Sequence, residues 1–160
     1  GAVFAASVVK KGPLLVGDSV PDFSLSDENG KAWSFKQHRG SPIVMYFYPA
    51  DGTAHCTQQA CSIKNSYSDF KKLGIIVVGV SYDSVASHKK FKERNGLPFT
   101  LLSDPTARVA DLFGASRWWP NLVPLRKTFI IDQLGVVRHV LANVDVAAHS
   151  AQVIALVKAL

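Results

Sequence analysis

The only two cysteines of this 160-residue chain, Cys56 and Cys61, stand four residues apart in the stretch FYPADGTAHCTQQAC, Phe47 to Cys61. Two thiols this close can clip a metal, close a disulfide, exchange electrons, or sit as small apolar residues in a core. Each possibility makes its own demand on geometry. Thr53 is a good N-cap type, and a helix starting after it carries Ala54, His55 and Cys56 in its first turn. Unpaired N–H groups and the positive dipole end at such a start stabilise a thiolate, the nucleophilic form of cysteine. On the same helix Cys61 lies about 140° around the axis and ~7.5 Å along it, so the Cα atoms are roughly 8–9 Å apart. A disulfide needs about 7 Å or less, so the pair cannot bond while that helix is intact. Zinc asks for four ligands and only His55 lies nearby, so no metal is expected, nor any cofactor. Two readings stay open on position alone. Cys56 is a candidate reactive thiol, and both residues, Cys61 especially, also read as inert core cysteines.

The flanking patterns indicate what holds these residues. Ile43–Phe47 and Ile75–Val80 are nearly continuous apolar runs, the mark of strands buried on both faces. Val20–Ser26 and Lys31–Phe35 alternate about an Asn29-Gly30 turn, which predicts an N-terminal β-hairpin. Leu97–Leu102 is a shorter strand candidate. Thr128–Ile131 and Val136–Leu141 are joined by the turn Asp132–Gly135 and must run antiparallel. Helical spacing covers Thr57–Leu73, Val85–Asn95 with Ser84 as cap and Gly96 as stop, Thr106–Phe113, and Ala147–Leu160. The alternation of strands and helices predicts an α/β fold, a mixed central sheet with helices on both faces. No repeat, linker or second domain is visible, so residues 1–160 read as one domain. Residues 1–15 carry little pattern and are expected to be a loosely ordered segment, consistent with what remains of a cleaved targeting peptide.

Composition narrows the function classes. Hydrophobic residues make up 48% and charged residues 19% of the chain, a globular balance. Apolar runs fall far short of the ~20 residues that span a bilayer, so no membrane partner is expected. The net charge is +6, from 18 basic and 12 acidic residues, but the lysines and arginines are scattered and not interleaved with aromatics. Nucleic acid is therefore not an expected partner.

Pro49-Ala-Asp-Gly-Thr53-Ala-His-Cys56 fits P-x-x-x-T-x-x-C, and in this the chain resembles the peroxiredoxins, in particular the peroxiredoxin Q or bacterioferritin comigratory protein subfamily. Five segments match in order: Pro21-Asp-Phe-Ser-Leu25, Phe47-Tyr-Pro-Ala-Asp51, Cys56-Thr-Gln-Gln-Ala-Cys61, Leu97-Pro-Phe-Thr-Leu-Leu-Ser-Asp104 and Arg126-Lys-Thr-Phe-Ile-Ile-Asp132. The resemblance implies a thioredoxin-like fold and thiol-dependent reduction of hydrogen peroxide and alkyl hydroperoxides. It implies that Cys56 is the peroxidatic and Cys61 the resolving cysteine, joined in an atypical 2-Cys disulfide during turnover. Thr53 would hydrogen-bond the peroxide and Cys56, Pro49 would shield the thiolate, and Arg126 would hold and polarise it. Thioredoxin, or glutaredoxin, is the implied reductant. A monomer is expected, in the cytoplasm or in an organelle stroma such as that of a plastid.

Two departures bear on these expectations. Ala54-His55 replaces the Pro-Gly usual in the subfamily, and His55 reads as an exposed variant residue. Trp118 and Trp119, in a proline-rich loop just before Arg126, read either as an apolar collar at the pocket mouth or as packing over a sheet edge. Two other functions remain alternatives: a protein thiol–disulfide oxidoreductase, which the four-residue gap disfavours against C-x-x-C, and a redox-sensing or holdase-like interaction protein with vestigial peroxidase activity.

Overall fold

The computed structural model describes residues 12–142 and 144–160. Seven strands form one mixed sheet in the order β2-β1-β5-β4-β3-β6-β7. The hairpin is β1 (Ser24–Asp27) and β2 (Ala32–Ser34), the centre β3 (Ile43–Phe47), β4 (Ile76–Ser81) and β5 (Thr100–Ser103), and the far edge β6 (Lys127–Ile131) and β7 (Val137–Leu141). β4 pairs in parallel with β3 and with β5, whereas β6 runs antiparallel to both β3 and β7. The expected mixed sheet and the antiparallel last pair are both present.

Period-two alternation along the fully buried β3 divides the core. Ile43, Met45 and Phe47 join a cluster with Phe23, Phe113 and Phe129 on one face, covered by α4 (Arg108–Phe113). Val44 and Tyr46 face the other side, against α1 (Ala54–Asn65), α2 (Tyr67–Lys72) and α5 (His149–Lys158), with Phe91 of α3 (Val85–Asn95) in the same cluster. The helix expected over Thr57–Leu73 is in fact two, broken at Ser66, whose backbone has left helical geometry (φ −103°, ψ 9°). α3 begins and ends as its sequence requires. The Ser84 hydroxyl accepts from Ser87 N, and Gly96 closes it in the left-handed region at φ 59°.

For residues 1–11 the expectation of a loose N-terminal segment lies outside the described residues. For 12–15 it does not hold. Leu14 is buried and its N–H donates to the Leu112 carbonyl at 3.0 Å, which pins this segment onto α4.

Gly79, in β4 between Tyr46 and Leu101, has no room for a side chain. A Cβ there would lie 2.9 Å from Tyr46 Cζ and Oη and 3.0 Å from Leu101 Cδ2. Gly79→Ala should therefore destabilise the fold by about 1–3 kcal/mol through overpacking, read from the urea midpoint. An unchanged midpoint would mean the Tyr46 ring is free to move aside.

Candidate functional site

β3 ends under Tyr48, whose N–H still donates to Val80 O at 3.1 Å. The chain then turns through Pro49, Ala50, Asp51 and Gly52 (φ 76°) into α1. The antiparallel register that sets Phe47 opposite Lys127 brings Arg126, the next residue out, level with Tyr48. Arg126 thereby reaches the first turn of a helix that lies some seventy residues earlier in the chain. Its Nη2 donates to Cys56 Sγ at 3.2 Å, and its Nη1 donates to Gln59 Oε1. Gln59 follows Cys56 by three residues on the same helix face, so one guanidinium fork spans both. Cys56 is 2% exposed. Its sulfur is thus walled off from bulk water and faces a fixed cation.

Thr53 occupies the N-cap position, but its side chain does not cap α1. Its hydroxyl donates back to Ala50 O at 3.1 Å. The first turn is held by the backbone bond Thr57 N to Thr53 O, 2.9 Å, and contains no acidic side chain to complement the dipole. Pro49 is half-buried at the head of the loop, and His55 is exposed. Both cysteines are free, Cys56 buried and Cys61 half-buried, on one unbroken helix. Arg126, Cys56 and the Thr53 loop therefore converge, while Cys61 stands apart on the far flank of α1.

Sequence reasoning missed the groups that surround this contact. Beneath it, in the same cluster, lies a layer of buried polar side chains. Thr128, two residues after Arg126 and hence on the same face of β6, hydrogen-bonds His149 Nε2 at 2.7 Å. Tyr46 pairs with Thr128 across the sheet, and its ring lies 6.1 Å from that of His149. Tyr46 Oη, Gln59 Nε2 and His149 Nδ1 make no hydrogen bond to protein among the described residues. Burial, and next the negative charge of a Cys56 thiolate, push the Tyr46 phenol well above its ordinary value. Burial and then the Arg126 cation push the His149 imidazole down to about 4. Only Gln59, one turn beyond Cys56, carried a local signal. His149 belongs to another helix and had none.

The loop itself is anchored from the side of α3. Asp51 accepts from Tyr48 Oη (2.6 Å) and Ser87 Oγ (2.8 Å), and its other close contact is His88 Nδ1 at 2.7 Å. His88 Nε2 donates to Leu102 O at 2.9 Å, and Asp51 N donates to Asp83 Oδ2 at 2.9 Å. Ligand atoms of Asp51, Asp83 and His88 lie within 4.8 Å of one another. Each of these carboxylates already receives hydrogen-bond donors, so the trio serves to hold the loop.

The tryptophan loop does not pack over a sheet edge. Trp118 is 97% and Trp119 79% exposed, with Leu122 beside them at 77%. They line a groove of about 500 Å³ in the segment leading into Arg126.

Residues 16–140 match the model of the AhpC/TSA family. The chain is 45% identical over 139 residues to the chloroplastic peroxiredoxin Q of Oryza sativa subsp. japonica, covering 82% of this chain and 61% of the rice protein. It is 46% identical over 134 residues to that of Arabidopsis thaliana, covering 79% and 59%. The chain thus spans about three fifths of the length of these curated relatives. Among solved structures, peroxidoxin BcpB of Mycobacterium tuberculosis superposes with a TM-score of 0.86 at 32% identity, covering 92% of this chain and 98% of that one. Peroxiredoxin Q of Xanthomonas campestris gives 0.83 at 31%, covering 92% and 97%.

The depressed His149 imidazole sets a pH dependence. The unfolded chain takes up a proton there below about 6.5, which the folded chain refuses until about 4. Stability therefore falls as pH drops through that window, by about 1.4 kcal/mol per unit and about 3 kcal/mol in all. Urea titrations between pH 7 and 4 should show this extra slope in the wild type and not in His149→Gln. Parallel slopes would contradict it.

Proposed function

Because the chain belongs to the AhpC/TSA family, within its peroxiredoxin Q branch, we propose that it is a thiol-dependent peroxidase acting on hydrogen peroxide and alkyl hydroperoxides. The observation that carries this reading is the 3.2 Å contact of the Arg126 guanidinium with a buried Cys56 Sγ at a helix start. The Cys56 thiolate attacks the terminal oxygen of ROOH. The O–O bond breaks, ROH leaves after taking a proton, and Cys56 becomes a sulfenic acid. Negative charge grows on the departing oxygen, where Arg126 and the N–H groups of the first turn of α1 serve as fixed donors, joined by the Thr53 hydroxyl once its proton turns away from Ala50 O. Pro49 helps to shield the thiolate from water.

Cys61 then attacks the Cys56 sulfur, water leaves, and a Cys56–Cys61 disulfide remains. With about 140° of helix between the two residues, this step requires the first turn of α1 to unwind. That turn has neither a side-chain cap nor an acidic residue, which supports a low cost of opening. A thioredoxin-type dithiol protein restores both thiols by exchange. The working form is a monomer of one domain in a plastid stroma, a location supported by the chloroplastic plant relatives. Among the described residues no helix is long and apolar enough to cross a membrane. The exposed Trp118-Trp119-Leu122 surface supports a preference for bulky apolar hydroperoxides. Neither alternative reading is favoured, since a thiol 2% exposed suits a small oxidant better than a protein disulfide.

Peroxide turnover coupled to thioredoxin tests the assignment. Cys56→Ser should abolish it, Cys61→Ser should limit it to about one peroxide per Cys56 because no disulfide forms for thioredoxin to reduce, and Thr53→Val should lower it by about 10²-fold. His55→Gly should change it by less than about tenfold, because the exposed imidazole supplies no reacting atom. Turnover by Cys56→Ser would refute the mechanism. In the same assay Trp119→Ala should slow cumene hydroperoxide by about tenfold while sparing hydrogen peroxide, the loss expected for one large apolar contact. Equal effects on both would remove the collar.

A further inference from the structure

A second cavity, of about 490 Å³, lies between the first turn of α1 and α3. Gly52 and Thr57 form one wall, and Ser87, Lys90, Phe91 and Arg94 form the other. On the helical projection of α1, Cys56, Ala60 and Ile63 face the core. Gln59 and Ser62 turn toward Arg126 and α5, as the Ser62–Ser150 contact of 3.1 Å confirms. Thr57, Cys61 and Lys64 occupy the opposite flank, within about 60° of one another. That flank faces α3, for Thr57 lines the cavity and Lys64 Nζ donates to Asn95 O at 2.8 Å. Cys61 follows Thr57 by one turn on this flank, the next position along α1 from the cavity lining.

The far wall is cationic. Lys90 and Arg94 are four residues apart, which puts them about 6 Å apart along α3 on one face. Neither has a carboxylate partner among the described residues, whereas Lys92 is taken by Glu28. The one carboxylate at the floor, Asp51, is occupied by Tyr48, Ser87 and His88. A concave site of this volume suits a small molecule.

We propose that this cleft binds a low-molecular-weight thiol bearing carboxylates and delivers it to the Cys61 sulfur of the disulfide. The proposal rests on the disulfide step of the function proposed above. The carboxylates sit against Lys90 and Arg94, which belong to α3 and not to the turn that unwinds. The bound thiolate attacks Cys61 Sγ, the Cys56–Cys61 bond breaks, and Cys56 leaves as a thiolate toward Arg126. A second molecule of the thiol attacks the outer sulfur of the mixed disulfide, releasing Cys61 and the oxidised dimer of the thiol. Two thiols supply two electrons, and the two protons they lose go to the released cysteines or to water. The cleft thus offers a recycling route beside the dithiol protein.

The test starts from protein oxidised with diamide, with the disulfide verified by mass before any reductant is added. Its reduction is followed by stopped-flow fluorescence with glutathione, 2-mercaptoethanol or thioredoxin, compared at equal thiolate concentration. In the wild type the glutathione rate should saturate and exceed that of neutral 2-mercaptoethanol by about tenfold. Lys90→Gln/Arg94→Gln should remove that advantage and leave the 2-mercaptoethanol and thioredoxin rates within about twofold. A linear glutathione dependence with no advantage over the neutral thiol overturns the proposal, as does a double variant that keeps the advantage or loses all three rates alike. Failure of diamide to form the Cys56–Cys61 disulfide overturns the parent reading as well, and shows itself before any thiol is mixed.

Discussion

One contact organises this molecule: a guanidinium held 3.2 Å from a buried sulfur. Charge next to a group cut off from water is costly unless both partners are fixed and hydrogen-bonded. The fold meets that demand with a long-range strand pairing. β6 lies antiparallel to β3, so Arg126 emerges at the end where β3 gives way to α1. Gln59 takes the second arm of the guanidinium fork, which fixes its plane against the same helix that presents Cys56. The first turn of α1 supplies the sulfur, the second its counterpart, and the start of β6 the cation.

What surrounds the contact divides into two well-bonded anchors and a turn with few bonds of its own. Under it, Thr128 and His149 tie β6 to α5, and Tyr46 fills the space above Gly79. On the other side Asp51, His88 and Asp83 fasten the loop to α3 and β5. Between these two anchors the opening turn of α1 has little holding it, since the Thr53 hydroxyl bonds to Ala50 and not to the helix. A rigid frame around a weakly capped turn suits chemistry in which one sulfur must first be buried and then travel to a second. The same division puts Cys61 on the flank toward α3, away from the cation.

The sheet was legible in the sequence because its signals are local. Ile43–Phe47 could bury both faces of a strand and nothing else, Asn29-Gly30 could close a hairpin, and Gly96 could end a helix. The break at Ser66 was not legible, because the apolar spacing that predicted one helix continues across it into Phe70. The thiol site was half legible. Thr53 and the run to Cys56 mark a helix start, yet the hydroxyl that would cap it turns backward. Arg126 carried no sign of its role beyond its place in a matching segment, since a contact across seventy residues leaves no trace in spacing. His149 and the Asp51–His88 anchor were invisible for the same reason. The tryptophan loop was legible only as two alternatives, and exposure removed one of them.

The central claim is that Arg126 makes Cys56 reactive, and the rate of a single oxidation measures this most directly. In a Cys61→Ser background, sulfenic acid formed by hydrogen peroxide can be trapped with dimedone and counted by mass against time. The account predicts that adding Arg126→Met slows trapping by about 10²-fold or more, with the helical circular dichroism unchanged. Trapping at the parent rate, within about twofold, would contradict it.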